Sequence, residues 1–172
     1  MLHWPVTNHY EETWKEMIRL RDQGICRDLG VANCHEHHIK RLYECSGEYP
    51  LVNQVELHPL FTQVSLKNYC EVHGIQVMAY SPTARHDDRL FNPPLLMEIA
   101  NKYGKSPTQI VLKWHIQNGV IPVIRSLNYA HQSEDIDIFD FEISESDMKL
   151  INGLNINARI RYDPDNCDFR CL

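Results

Sequence analysis

The chain has 172 residues, 43% hydrophobic and 23% charged, with 9 prolines and 7 glycines. This is the composition of an ordinary globular domain, which excludes a fibrous or disordered polymer. The net charge of −6 arises from 23 acidic and 17 basic residues with no basic stripe, which argues against a nucleic-acid or anionic-lipid partner.

In chain order, Trp14, Met17, Ile18 and Arg21 fall at helical spacing between Glu11 and Asp22, with Gly24 as the stop. A strand is expected over Ile25 to Ala32, then a helix from Glu36 to Cys45 carrying Ile39, Leu42 and Tyr43. Leu51 to Leu57 reads as a strand, Val64 to His73 as a helix ended by Gly74, and Ile75 to Tyr80 as a strand cut by Ser81-Pro82. Two helices follow. Pro94 to Tyr103 places Leu95, Leu96, Ile99 and Ala100 on one face, and a second opens at Ser106-Pro107 and aligns Ile110, Val111, Trp114 and His115. Val120 to Ile124 is a further strand. Ser144 to Asp147 resembles a capping box with Asp in the place of Glu or Gln, opening a helix that runs to Gly153. The tail from Asn155 has no period.

Strands alternating with helices predict a parallel α/β sheet, since each parallel pairing needs a crossover. No G-x-G-x-x-G follows a strand, so a Rossmann site is not expected. Four strands end instead in polar or aromatic clusters: Ala32-Asn33, Glu56-Leu57-His58-Pro59, Tyr80-Ser81-Pro82 and Arg125-Ser126. A (β/α)8 barrel places its reactive groups at such strand ends, but takes about 250 residues. Only four whole strands and a stub at the start are visible here.

The start at Met1 has no charged segment followed by an apolar stretch, so no secretory signal is expected. No run approaches the ~18 apolar residues of a membrane span. The six cysteines, irregularly spaced, then read as reduced thiols of a cytoplasmic protein. Cys167 and Cys171 are near enough in sequence to bridge, though nothing demands it.

The segments His3-Trp4-Pro5, Gly30-Val31-Ala32-Asn33, Asn53 to Pro59, Tyr80-Ser81-Pro82, Phe139 to Glu142 and Tyr162 to Phe169 resemble, in order and spacing, motifs of the aldo-keto reductase family. The resemblance covers nearly the whole chain. It implies part of a (β/α)8 TIM barrel, from a stub of strand 4 to strand 8 with their helices. It also implies one domain over 1–172, truncated at its N-terminus, with 155–172 as a C-terminal tail. Family members reduce aldehydes and ketones with NADPH through a tetrad of Asp, Tyr, Lys and His, in which Tyr is the general acid. Only the His has a match, His3; the other three belong to the first third of the barrel. Trp4 would line the substrate pocket.

By the same resemblance, Asn33 and Gln54 would hold the nicotinamide carboxamide, Tyr80 would stack on the ring, and Ser81 would contact the pyrophosphate. Taken singly, Gln54 reads as a sheet-edge polar residue and Tyr80 as a core aromatic; within the matched motifs both take the cofactor role. Arg125 and Ser126 stand where a Lys-Ser pair usually meets the adenosine 2′-phosphate, which Arg can also bind. His131, Glu134 and Asp135 complete the cofactor set. Three positions depart from the family: Ala32 for Ser, His131 for Arg, and Asp135 for Asn. They weaken the expected NADPH site and leave room for NADH.

Cys34-His35-Glu36-His37-His38 has the residues of a metal cluster, but His35 and His38 lie three apart where zinc ligands on one helix need i, i+4, and no second cluster completes four ligands. It reads as a polar loop opening a helix, and no metal is expected. His58 reads as a structural or substrate-rim residue. Arg85 to Arg89 suits either a loop over the pyrophosphate or a solvated turn.

Two readings follow. The chain is the truncated product of an NADPH-dependent carbonyl reductase, inactive alone, whose open sheet edges call for self-association or a partner chain. Alternatively, it is a non-catalytic cofactor-binding or interaction subunit derived from a reductase half barrel. A small carbonyl compound is the expected substrate if it is active, with no nucleic-acid or membrane partner.

Overall fold

The computed structural model describes residues 1–168; Cys171, and with it the Cys167–Cys171 pairing, lies outside them, as does Phe169. The elements are α1 (Tyr10–Asp22), β1 (Gly30–Ala32), α2 (Glu36–Ser46), β2 (Val52–Glu56), α3 (Val64–Val72), β3 (Gln76–Tyr80), α4 (Asp88–Phe91), α5 (Pro94–Tyr103), α6 (Pro107–Gln117), β4 (Ile121–Pro122), α7 (Tyr129–Ile136) and α8 (Glu145–Asn152). They divide into two compact units: Met1–Val55 with Val64–Met78 and the tail from Arg161, and Glu56–Gln63 with Ala79–Ile160.

In the first unit β1 and β2 pair in parallel, with Gly30 opposite Val52 and Ala32 opposite Gln54. Gly30 is required there, because a Cβ would run into the Val52 side chain. The stub at the start is real strand pairing: Leu2 bridges Val31 in parallel, and Ala32 N–H donates to the Leu2 carbonyl at 2.7 Å. β3 begins beside β2, Gln76 N–H donating to the Leu51 carbonyl at 2.9 Å. Asn53, Val55 and Val77 are buried while Val52, Gln54, Gln76 and Met78 stay half-exposed, the two-residue alternation of a sheet covered on one face. Trp14 of α1 is fully buried and donates its Nε1–H to Ser46 Oγ of α2 at 3.2 Å.

The strand expected over Ile25 to Ala32 shrinks to Gly30–Ala32. Gly24 adopts a left-handed φ of 77° and Ile25 N–H donates back to the Leu20 carbonyl, so Ile25 finishes α1 and stays 68% exposed.

In the second unit, the end of β3 pairs with the β4 segment, Val123 N–H donating to the Ala79 carbonyl at 2.8 Å. β4 is shorter than the expected Val120 to Ile124, since Pro122 has no N–H to extend a ladder. The face predicted for α6 is the core: Ile110, Val111, Trp114 and His115 are all buried. At α8, Ser144 Oγ accepts the Asp147 N–H as a capping box requires, but Asp147 does not return the bond to Ser144 N–H. Tyr103 Oη accepts that N–H instead, at 2.8 Å, while the Asp147 carboxylate accepts from Lys102 Nζ (2.7 Å), Tyr103 Oη (2.6 Å) and Ser144 Oγ (2.8 Å). Helix α7 was not legible in the sequence because none of its residues is buried and it has no apolar period.

Candidate functional site

The second unit gathers most of the proposed cofactor positions around one cavity of about 560 Å³. Ser81, Arg125, Ser126, His131, Glu134 and Asp135 all line it. Ser81 reaches it because β3 ends abruptly: Ser81 has φ 50°, and Ala84, Arg85 and His86 follow at 51°, 55° and 57°. Left-handed backbone costs a residue with a Cβ about 1 kcal/mol or more. The turn is held by Ala84 N–H donating to the Ser81 carbonyl at 2.8 Å and His86 N–H to the Thr83 carbonyl at 2.9 Å. Behind it, buried His115 of α6 places its Nε2 3.0 Å from the Pro82 carbonyl, as donor. His115 showed in the sequence only as a member of an apolar helix face, so its hold on this turn was not legible.

The other wall is the loop into α7. Ser126 Oγ accepts the Asn128 N–H at 3.1 Å, and Asn128 Oδ1 caps α7 by accepting the Ala130 N–H at 2.9 Å. The Ser126 hydroxyl therefore shapes the turn. Arg125 is exposed and forms no ion pair among the described residues. Glu134 and Asp135 bring negative charge, and burial, then the Glu134 carboxylate, push the Asp135 pKa up against a smaller opposing pull from His131 and His86. Arg85 and His86 also line the cavity, which gives the Arg85 to Arg89 stretch a location beside the proposed phosphate residues.

In the first unit, Asn33 directly follows β1 and Gln54 lies in the middle of the paired strand β2, Asn33 N–H donating to the Gln54 carbonyl at 2.9 Å. Asn33 has φ 59°, is buried, and donates its side-chain amide to the His3 carbonyl at 3.0 Å, bringing the two residues together. Gln54 is half-exposed. Its neighbour Asn53 is wholly buried and grips the chain after β1, donating Nδ2–H to the Cys34 carbonyl at 2.8 Å and accepting the Cys34 N–H at 3.4 Å. Sequence reasoning quoted Asn53 only as part of a motif. His3 and Trp4 line a separate cavity of about 430 Å³ against α1. Tyr80 lines none of these cavities; it is half-exposed at the end of β3.

Two other groups bear on chemistry. In the second unit His58 Nε2 lies 3.1 Å from Glu56 Oε1, both side chains fully buried, and Ile160 N–H donates to the same oxygen at 2.6 Å. His58 therefore holds a buried carboxylate that anchors the backbone near 160, a structural role. In the first unit the polar segment that opens α2, from the N-cap His35 to His38 in its first turn, acquires a partner the sequence could not supply. Asp165 Oδ2 lies 2.8 Å from His35 Nδ1, and its Oδ1 lies 3.0 Å from His37 Nε2 and 3.4 Å from His38 Nε2. The sequence shows no second cluster to go with these histidines; in the fold the tail brings a carboxylate to them from 130 residues away in sequence.

Known proteins resemble the chain throughout. The sequence model described as the Aldo/keto reductase family matches residues 1–86 and 87–156. An uncharacterised oxidoreductase of Bacillus subtilis is 40% identical over 98% of the chain, and a methylglyoxal reductase of Escherichia coli is 36% identical over 96%. The chain spans 60% and 61% of their lengths, respectively. A crystal structure of a Gox0644 variant in complex with NADPH superposes with a TM-score of 0.92 at 33% identity, over 97% of this chain and 62% of that one. The fold is accordingly part of that barrel.

Proposed function

Since this chain belongs to the aldo/keto reductase family, we propose that it is the cofactor-holding portion of an NADPH-dependent reductase of small aldehydes and ketones. The observation that carries this reading is the 560 Å³ cavity, around which six residues chosen from sequence motifs converge. Arg125 would meet the 2′-phosphate through charge-assisted hydrogen bonds, with Ser126 fixing the turn that presents it. Ser81, His131, Glu134 and Asp135 would complete the wall around the phosphates and adenine. Asn33 and Gln54 would take the carboxamide, Tyr80 would pack on the nicotinamide ring, and Ala32 would leave one hydrogen bond unmade there.

NADPH, when bound, supplies a hydride to the carbonyl carbon. His3 would polarise and orient the carbonyl oxygen and Trp4 would wall the substrate. The proton for the new alcohol comes, by the family resemblance, from a tyrosine that matches no residue of this sequence. The 172-residue chain alone is therefore expected to bind cofactor without efficient turnover.

Apolar surface supports self-association or a covering partner chain. In the second unit a cavity of about 640 Å³ is walled by Leu112, Ile116, Ile136, Ile138 and Phe139 among others, and Ile136 and Phe139 are 70% and 69% exposed. A reducing cytoplasm suits the buried thiols of Cys34 and Cys70, which burial pushes toward the protonated form, Cys70 up to about 11.

The test is nicotinamide fluorescence with the chain shown to be folded by circular dichroism, followed by addition of methylglyoxal, the substrate named for the Escherichia coli relative. Saturable NADPH binding without steady turnover is expected. A folded chain that leaves the fluorescence unchanged refutes the reading; steady turnover refutes the assignment of the general acid to residues outside this sequence.

A further inference from the structure

The wall of the 560 Å³ cavity in the second unit carries a charge balance that the motifs leave open. Arg85 and Arg125 bring positive charge to its lining, and Glu134 and Asp135 bring negative charge in equal number. These cancel. The other titratable groups among the described lining residues are His86 and His131, so two imidazoles decide the sign of the cavity. Imidazole is the side chain whose charge changes near neutral pH.

The two histidines come from different elements. His86 closes the left-handed run that follows β3. Its ring stacks on Phe91 of α4 with centroids 4.8 Å apart, and its Nε2 lies 3.4 Å from Thr108 Oγ1 of α6. A hydroxyl can accept or donate, so this contact is open to either protonation state of the ring. His131 is the i, i+4 neighbour of Asp135 on α7. Both imidazoles are exposed, and both pull the Asp135 carboxyl down against burial and Glu134, which places them in electrostatic reach of one carboxylate. On the side of the turn, Asp87 is held by Arg89 at 2.8 Å, and Asp88 is exposed. A dianionic phosphate beside an imidazole favours its charged form, so binding such a group draws in protons and weakens as pH rises.

Resting on the cofactor role given above to this cavity, we propose that His86 and His131 set the preference between NADPH and NADH and make it depend on pH. Protonated, they join Arg125 in holding the 2′-phosphate. Neutral, they leave Arg125 to hold it against the carboxylates of Glu134 and Asp135, and the preference for NADPH falls.

The experiment measures NADPH and NADH affinity of the whole 172-residue chain by nicotinamide fluorescence, at fixed low ionic strength between about pH 6.5 and 8.5. The ratio of the two affinities isolates the 2′-phosphate, since all other contacts are shared. The preference for NADPH should fall about fivefold across that range. The second ionisation of a phosphate, at about pH 6, strengthens binding as pH rises and cannot produce the fall. In the double variant His86→Gln/His131→Gln the ratio should be flat and stay near the wild-type value at the alkaline end, while Asp135→Asn should raise the ratio and keep the slope. Calorimetry in buffers of different ionisation enthalpy checks the same point without a variant: NADPH binding should take up protons and NADH binding should not. With both cofactors bound, a ratio independent of pH, an unchanged slope in the double variant, or a slope lost in Asp135→Asn alone overturns the proposal and leaves the cofactor reading standing. A folded chain that binds neither cofactor overturns both.

Discussion

The two units treat the ends of their strands differently. In the first, the chain leaving β1 is locked by buried side-chain bonds: Asn53 takes both the N–H and the carbonyl of Cys34, and Asn33 ties down the carbonyl of His3. In the second, β3 ends in a left-handed turn and opens on a cavity whose arginine, Arg125, is exposed. A carboxamide is recognised by direction, so its contacts need a rigid frame; a phosphate is recognised largely by charge, which tolerates a looser wall. The strand ends of the first unit should therefore govern stability, and those of the second should govern affinity.

The largest expected effect tests the first half of that contrast. Asn53→Ala leaves the buried N–H and carbonyl of Cys34 without partners and should cost about 3 kcal/mol of stability, read as a lowered midpoint in urea. A loss below about 1 kcal/mol would mean that the lock is not what holds the first unit together.

The second unit should keep its stability elsewhere, at Asp147. Lys102, then Tyr103, holds the Asp147 carboxyl down to about 2, and Asp147 is itself buried. A depressed carboxyl contributes stability above its unfolded pKa near 4 and loses it as pH falls through the folded value near 2. Asp147→Asn should cost about 1–2 kcal/mol at neutral pH, a figure reduced for the exposure of Lys102. The gap between variant and wild type should close between about pH 4 and pH 2 in chemical denaturation. A gap independent of pH would assign the effect to packing.

Arg125→Ala should leave the melting temperature alone and weaken NADPH about tenfold, with little change for NADH, which lacks the 2′-phosphate. Equal weakening of both cofactors would remove Arg125 from the phosphate. The smallest effect is a gain. Asp135→Asn removes a negative charge from the cavity and should tighten NADPH about threefold at low salt, an advantage that shrinks as salt is added.

The helices with an apolar stripe, and the order of strands and helices, could be read from the sequence because local periodicity encodes which face is buried. Trp14 and the Ile110–His115 face came out as expected for that reason. Helix α7, with no buried residue, gave no such signal, and β1 and β4 came out shorter than their β-branched runs because a helix cap and a proline took the backbone groups a ladder needs. Six of the residues nominated by the motifs line one cavity. They could not show that the Ser126 hydroxyl is committed to its own turn, that His115 braces Pro82, or that Asp165 reaches back to the histidines at the start of α2. The sequence by itself determined family, element order and the candidate contacts, since these rest on neighbours a few residues apart. Only the tertiary structure decided which polar groups meet. Such meetings depend on where folding brings distant segments, and no local spacing records that the Asp165 carboxylate ends 2.8 Å from His35.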